Sequence, residues 1–413
     1  MTNRMDSMQQ SSSFASRGNA GRSRTLRLGA LALAVGCVLV AWQSPALAGA
    51  RDQAKRINDR INGTPPSSAL LDAMTAKVQA GDPAGAAMLA MDPANAESRG
   101  FYNSKLKNLA MPWTNRDQTM FAPLNDYVAT FIGMVRDDVG INTALSDDII
   151  YTGNTAGAPA YSPANNDHYQ FLEDNDADLR TALVRSAQSS KTGIPAAATA
   201  GLITTRAASQ AFFINGTNRA MFRFTMLNHL CHDMETVQDT TRPPDRIRQD
   251  VSRSPGGDSR VFLNTCIGCH SGMDPMAQAF AYYNFDATQG QLVYTGSTVQ
   301  PKYTINSDNF KPGFVTPSDH WDNRWRQGPN ASLGWSTQLT GTGDGAKSLG
   351  AELGNSNAFA SCQVEKVFKA VCFRAPADAA EQQKLVQITA SFKANGYKLK
   401  DVFAQTAAAC MGD

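Results

Sequence analysis

Cys266-Ile267-Gly268-Cys269-His270 places two thiols three positions apart, with an imidazole directly behind the second. This is the attachment sequence for a c-type haem: the thiols add to the haem vinyl groups, and the histidine becomes the proximal iron ligand. Cys266, Cys269 and His270 are thus the candidate site for one covalent haem c. Zinc would need two more soft ligands at comparable spacing, and the chain has no second Cys-x-x-Cys pair. A thioredoxin-like redox pair needs neither the adjoining histidine nor a helical setting.

The sixth iron ligand decides the chemistry. A distal Met raises the reduction potential and suits electron transfer, whereas an open position suits small-ligand chemistry. Met273 follows His270 by three residues, so the same helix holds it on the proximal side, and Met276 shares that objection less strongly. The remaining candidates are Met221, Met226, His229, His232, Met234 and His320. His229 and His232 sit near one helix face, which would allow a bis-histidine haem. Otherwise these methionines are core filling and the histidines are caps or hydrogen-bonding groups. His168 reads as a surface helix residue.

Weaker signals surround these. Asp137-Asp138 and Asp147-Asp148 are carboxylate pairs without calcium-loop spacing, more often a solvated helix end. Arg324 and Arg326, interleaved with Trp321 and Trp325, or Arg246 or Arg248, would suit haem propionates, with surface salt bridges as the default. Hydrolase, kinase and metalloprotease motifs are missing.

Arg22, Arg24 and Arg27 precede an apolar run from Leu28 to Trp42, and Ala46-Leu47-Ala48 follows. That is a secretory leader with an Ala-x-Ala site, so residues 1–48 are expected to be removed after Ala48 in export to the periplasm. Lipidation at Cys37 is the second choice and an uncleaved anchor the third. No stable membrane span is expected after cleavage. The chain has 38 basic and 36 acidic residues, and the leader carries five arginines against Asp6, which leaves the remainder at net −2. No basic stripe points to nucleic acid. Redox partner proteins are expected, with the oligomeric state open.

Outside the leader and the haem thiols, Cys231, Cys362, Cys372 and Cys410 remain. An even number in an oxidising compartment suggests two disulfides. Cys362 and Cys372 fall on one expected helix, about 15 Å apart at 1.5 Å per residue, beyond disulfide reach. Helices over 359–372, 377–395 and 398–410 run up, down and up, so the ends of the first and third meet. Cys372–Cys410 follows, and Cys231–Cys362 by exclusion. Free buried thiols are the alternative for any of the four.

The elements positioning these residues are mainly α. Helices are expected from Arg51 to Asn62, closing at Gly63, then from near Ala69, and from Asp82-Pro83 as cap and first residue. Leu124, Tyr127, Val128, Phe131, Met134 and Val135 recur at helical spacing. Asn142 would cap a short helix. Residues 152–167 read as a loop, 217–230 as a buried helix, and 286–357 as irregular or partly β. The expected division is a helical N-terminal domain (49–200), a cytochrome c-like haem domain (201–290), an irregular insert (291–357) and a C-terminal three-helix unit (358–413).

Residues 264–286 resemble the haem segment of exported bacterial proteins that carry a planctomycete-type cytochrome c domain. After Cys-x-x-Cys-His come Met273-Asp274-Pro275, Ala279-Phe280 and Asp286. Gly201-Leu202-Ile203-Thr204-Thr205 and Arg223 to Cys231 are similar to the lead-in segment. Phe359-Ala360-Ser361-Cys362 through Phe368, then Phe392 and Gly396-Tyr397-Lys398-Leu399, are similar to the C-terminal helical domain. The N-terminal likeness, over 51–150, is weaker, and 286–357 lies outside the resemblance. His232-Asp233-Met234 stands where the family has a proline run, with Pro243-Pro244 further on. The resemblance implies a single c-type haem between helical domains, in a family of largely unassigned activity.

The expected function is one-electron transfer by a periplasmic monohaem cytochrome, as a subunit or partner of a larger redox system. It is more an electron-transfer protein than a self-contained enzyme. One alternative is a haem oxidoreductase, peroxidase-like or oxygenase-like, with an open distal site. Familiar c-type peroxidases carry two haem motifs, whereas this chain has one. The other is a non-enzymatic haem-bearing subunit of an exported complex.

Overall fold

Capping chemistry sets most helix ends. A computed structural model describes residues 48–214, 216–304 and 310–412, so the expected leader and its Cys37 lie outside the described residues. Helix α1 (Ala50–Asn62) closes on Gly63, in the left-handed region at φ +71°, with its N–H on the Asp59 carbonyl. Ser67 accepts from the Leu70 N–H to start α2 (Ser68–Gln79). Asp82 accepts from the Gly85 N–H to start α3 (Pro83–Met91), with proline at its first position. Asn125 caps α4 (Asp126–Arg136), whose residues are buried up to Val135. Then follow α5 (Asp167–Asp174), α6 (Arg206–Phe212), α7 (Arg219–Thr225), α8 (Ile267–Ala277) and α9 (Gly345–Gly354). The last three are α10 (Asn357–Cys372), α11 (Ala379–Ala394) and α12 (Leu399–Ala409).

The fold is mainly α. Among the described residues the sheet consists of three antiparallel two-stranded ladders. They are β1 (Ile150–Gly153) with β2 (Leu183–Ser186), β3 (Tyr283–Asp286) with β4 (Gln291–Tyr294), and β5 (His320–Asp322) with β6 (Thr342–Asp344). The first pairs Ile150 with Ser186, and the third pairs His320 with Asp344.

One hydrophobic cluster runs from Ala54 in α1 to Cys410 after α12. The C-terminal α12 lies against α3 and α10, so both ends of the described chain close on each other. The described residues of the segments 49–200, 201–290, 291–357 and 358–413 therefore share a core, and the described residues from Ala48 onward form one compact unit. Cys231 is bonded to Cys362, and Cys372 to Cys410. Asp126 ties two helix starts together: its buried carboxylate accepts from the N–H groups of Arg206 (2.6 Å) and Ala207 (3.0 Å) at the head of α6. Burial pushes this carboxyl up, against the pull of those N–H groups.

Several local expectations differ. Asn142 lies inside a short 3-10 turn, Ile141–Thr143, and donates to Asn355 Oδ1 at 3.0 Å instead of capping. The loop expected over 152–167 begins later, because Thr152 and Gly153 pair with β2. The helix expected over 217–230 is split: α7 widens at Met226 into a π-turn (Met226–Leu230) that ends on Cys231 at φ +58°. Within the irregular insert, Gly345–Gly354 is helical. Its glycines look like loop residues, yet a Cβ at Gly350 or Gly354 would strike the carbonyls of Leu145 or Asn142. They permit close helix packing.

Candidate functional site

The Cys-x-x-Cys-His segment enters its helix through a π-turn, Phe262–Cys266, which runs straight into α8. Such turns insert an extra residue and recur at functional sites. Cys266 and Cys269 are unbonded and partly exposed, while the other four described cysteines are paired. Burial pushes the Cys269 thiol up. Pro275 lies inside α8 and supplies no N–H, and Ser271 Oγ donates to the Ile267 carbonyl at 2.6 Å one turn earlier. Gly272 faces the buried indole of Trp325, which leaves no room for a Cβ.

His270 is held from behind. Its Nδ1 lies 3.0 Å from Asp274 Oδ1, one turn along α8, and its side chain keeps 18% exposure. Its Nε2 has no hydrogen-bond partner among the described residues. Asp274 is fully buried and receives Arg219 through Nε at 2.8 Å and Nη2 at 3.2 Å. The same guanidinium clamps Asp250 at 2.7 and 2.8 Å. Arg248, 1% exposed, donates to Thr217 Oγ1 at 2.6 Å and stacks over Tyr303, 4.8 Å from the ring centre. Burial alone would raise the Asp274 carboxyl, but Arg219, His270 and Arg248 outweigh it and hold it well below the usual carboxylate range. Two arginines and two aspartates thus balance in charge behind the histidine.

The segment after Cys231 forms a strap beside the motif. The Met234 carbonyl lies 3.4 Å from Cys269 Sγ, and the Asp239 N–H donates to the Gly268 carbonyl at 3.0 Å. Among the candidate distal ligands outside α8, Met234 is therefore the one whose backbone touches the motif, with His232 two residues before it on the same strap. His232 is partly buried, with Nδ1 3.3 Å from Thr236 Oγ1. Its imidazole is pushed down by burial.

The other candidates sit elsewhere. His229 is a core residue: Nε2 shares a 2.6 Å hydrogen bond with the Tyr127 hydroxyl, and Trp113 and Phe359 flank the ring. Burial, helped by Lys366, pushes its pKa down to about 3. Met221, Met226 and Met276 are buried in the main core, and Met273 is 6% exposed in α8. His320 lies on β5 with Nδ1 2.9 Å from Asp344 and Nε2 3.2 Å from Thr342 Oγ1, an exposed polar cluster. His168, expected at the surface, is buried, because Nε2 accepts from the Gly153 N–H at 2.8 Å and Nδ1 lies 2.7 Å from the Pro159 carbonyl.

The expected propionate clamps are engaged with protein carboxylates. Arg246 pairs with Asp322 at 2.8 Å, Arg324 with Asp245, and Arg326 with the buried Glu352 at 2.7 Å. Asp137 accepts from Arg136 and the Tyr151 hydroxyl, and Asp148 from Ser189 and Thr199, so neither aspartate pair stands free for a cation. Among the described residues no group of three or more His, Cys, Asp or Glu side chains is disposed to hold a bare metal ion.

The motif itself fits a covalent haem. Two free thiols and an unpartnered imidazole nitrogen share one short stretch, and two residues leading in are apolar yet exposed, Val261 at 41% and Leu263 at 57%. Cys266 and Ile267 pack at the edge of a small buried cluster of Ile247, Val251 and Phe262. Arg219 and Asp250 carry no local motif that singles them out, whereas Asp274 stands in the Met273-Asp274-Pro275 segment that follows the histidine. The signal available was the four-residue step from His270 to Asp274.

No protein-family model matches this chain, and none of the curated proteins or solved structures is significantly similar to it.

Proposed function

We propose that this is an exported monohaem c-type cytochrome related to proteins with a planctomycete-type cytochrome c domain. It would transfer single electrons as a subunit or partner of a larger redox system. The observation that carries this reading is the pair of unbonded thiols beside His270 in a chain whose other described cysteines are cross-linked. Two disulfides support an oxidising compartment, where c-type haem is attached. Among the described residues no helix is long and apolar enough to cross a membrane.

When bound, the haem would supply a one-electron ferric–ferrous couple. Cys266 and Cys269 would tether it through thioether links. His270 would present Nε2 while Asp274 keeps the ring oriented through Nδ1. Val261 and Leu263 would lose their water contact against the porphyrin. The strap at 232–239 would border the Cys269 side, with His232 and Met234 as the distal candidates to test first.

The test is expression alongside haem-attachment machinery, followed by intact-mass and absorbance measurements. One haem mass that survives acid–acetone extraction, and is lost in the Cys266→Ala/Cys269→Ala double variant, is the expected result. An unmodified wild-type mass would end this reading. Carbon monoxide added to the reduced protein then separates the two haem chemistries. An unchanged low-spin spectrum supports electron transfer, and ready binding supports an open distal site.

A further inference from the structure

We propose that Asp274 is the positioning residue for His270: it fixes the imidazole tautomer and makes the ring a stronger donor to iron, which lowers the reduction potential. The inference rests on the haem reading for its redox part, while its tautomer part stands on the protein alone.

An ionised carboxylate has no proton to give, so a hydrogen bond between Asp274 Oδ1 and His270 Nδ1 requires the proton to sit on Nδ1. In the neutral ring Nε2 then carries the lone pair, and Nε2 is the nitrogen without a partner among the described residues. The ring is thus set in the ligating tautomer before any cofactor arrives. A carboxylate accepting from the remote N–H of a metal-bound imidazole also raises its basicity, as outer-shell partners of metal ligands generally do. Greater donation favours the ferric state, so the potential falls.

The surroundings strengthen this assignment. Asp274 is fully buried, where little water screens its charge. It cannot swing away, because Arg219 grips it at 2.8 and 3.2 Å while holding Asp250 with the same guanidinium. Arg248 Nη2 stands 3.9 Å from Asp274 Oδ1. A purely structural account would need Asp274 only as the anchor for Arg219. Yet Asp250 already gives Arg219 a two-point carboxylate partner, whereas His270 Nδ1 has Asp274 alone.

The tautomer is read by nitrogen NMR of the chain without haem, at a pH where the imidazole is neutral. Protonated Nδ1 with bare Nε2 at His270 is expected, and the reverse tautomer overturns the proposal. Absence of covalent haem in the holoprotein preparation would sink the function proposed above and leave this NMR result standing. With haem attached, Asp274→Asn is expected to shift the ferric–ferrous equilibrium about tenfold toward ferrous, about +59 mV for one electron. Asp274→Glu is expected to return it toward the wild-type value. An unchanged potential in a folded, haem-loaded Asp274→Asn protein overturns the proposal. Should that variant fail to fold, nitrogen and proton NMR of His270 in the reduced wild-type holoprotein decides. A proton on Nδ1, strongly deshielded and slow to exchange, supports Asp274 as its acceptor, and an Nδ1 without a proton rejects it.

Discussion

His229 and His270 are the same residue type in different electrostatic settings. His270 leans on a buried carboxylate and keeps one nitrogen bare, whereas His229 is enclosed by Trp113, Tyr127 and Phe359 with Nε2 already spent. With its folded pKa near 3 against an unfolded value of about 6.5, His229 must fold neutral. Between these values the unfolded state binds more protons, so stability is flat above about pH 6.5 and falls as pH drops toward 3. Urea unfolding at pH 7 and pH 5 is expected to show a loss of about 2 kcal/mol from this one site. His229→Gln should remove most of that difference, and an unaltered slope in the variant would show that other groups carry the acid sensitivity. In the sequence, His229 and His232 looked alike as iron ligands. Only the packing separates them, because burial among aromatic rings has no local signature in the chain.

At the scale of elements, α8 is positioned by how closely Trp325 can approach it. Gly272 exposes bare backbone to that indole, and Trp325 is itself wedged against Phe222 at 5.9 Å between ring centres. Gly272→Ala would gain about 1 kcal/mol of helix propensity. It would also drive a methyl into a rigid buried ring, an overpacking cost of about 1–3 kcal/mol. The collision should win, because neither Trp325 nor the helix backbone has space to retreat. The melting temperature followed by circular dichroism is expected to fall, with haem incorporation falling alongside. A rise would mean that the indole moves aside freely. Helix ends were largely legible beforehand, since Gly63, Ser67 and Asp82 act through neighbours a few residues away. Helix α9 was not, because its glycines serve contacts with Leu145 and Asn142, some two hundred positions earlier.

For the whole molecule, the disulfides close loops of very different size. Cys372–Cys410 spans 38 residues and Cys231–Cys362 spans 131. Loop-closure entropy assigns them about 4 and about 5 kcal/mol respectively. The longer bridge also fixes the start of the strap whose Met234 carbonyl meets Cys269. Cys231→Ala/Cys362→Ala should therefore cost more stability in urea than Cys372→Ala/Cys410→Ala, and should also expose the strap to proteolysis. Equal losses, with the strap still protected, would show that the shared core alone holds it.

By itself the sequence determined the helical class, most helix termini and the five-residue motif, because each depends on neighbours within a few turns; for the other four cysteines it offered an even number and a candidate pairing, and the fold is what brings Cys231 to Cys362 and Cys372 to Cys410. The tertiary structure decided that the N- and C-terminal helices close one core, that His229 is walled in, and that Asp274 stands behind His270 under the grip of Arg219. Apart from the four-residue step from His270 to Asp274, these depend on contacts between residues tens to hundreds of positions apart, where burial and unscreened charge set the chemistry and no local pattern records them.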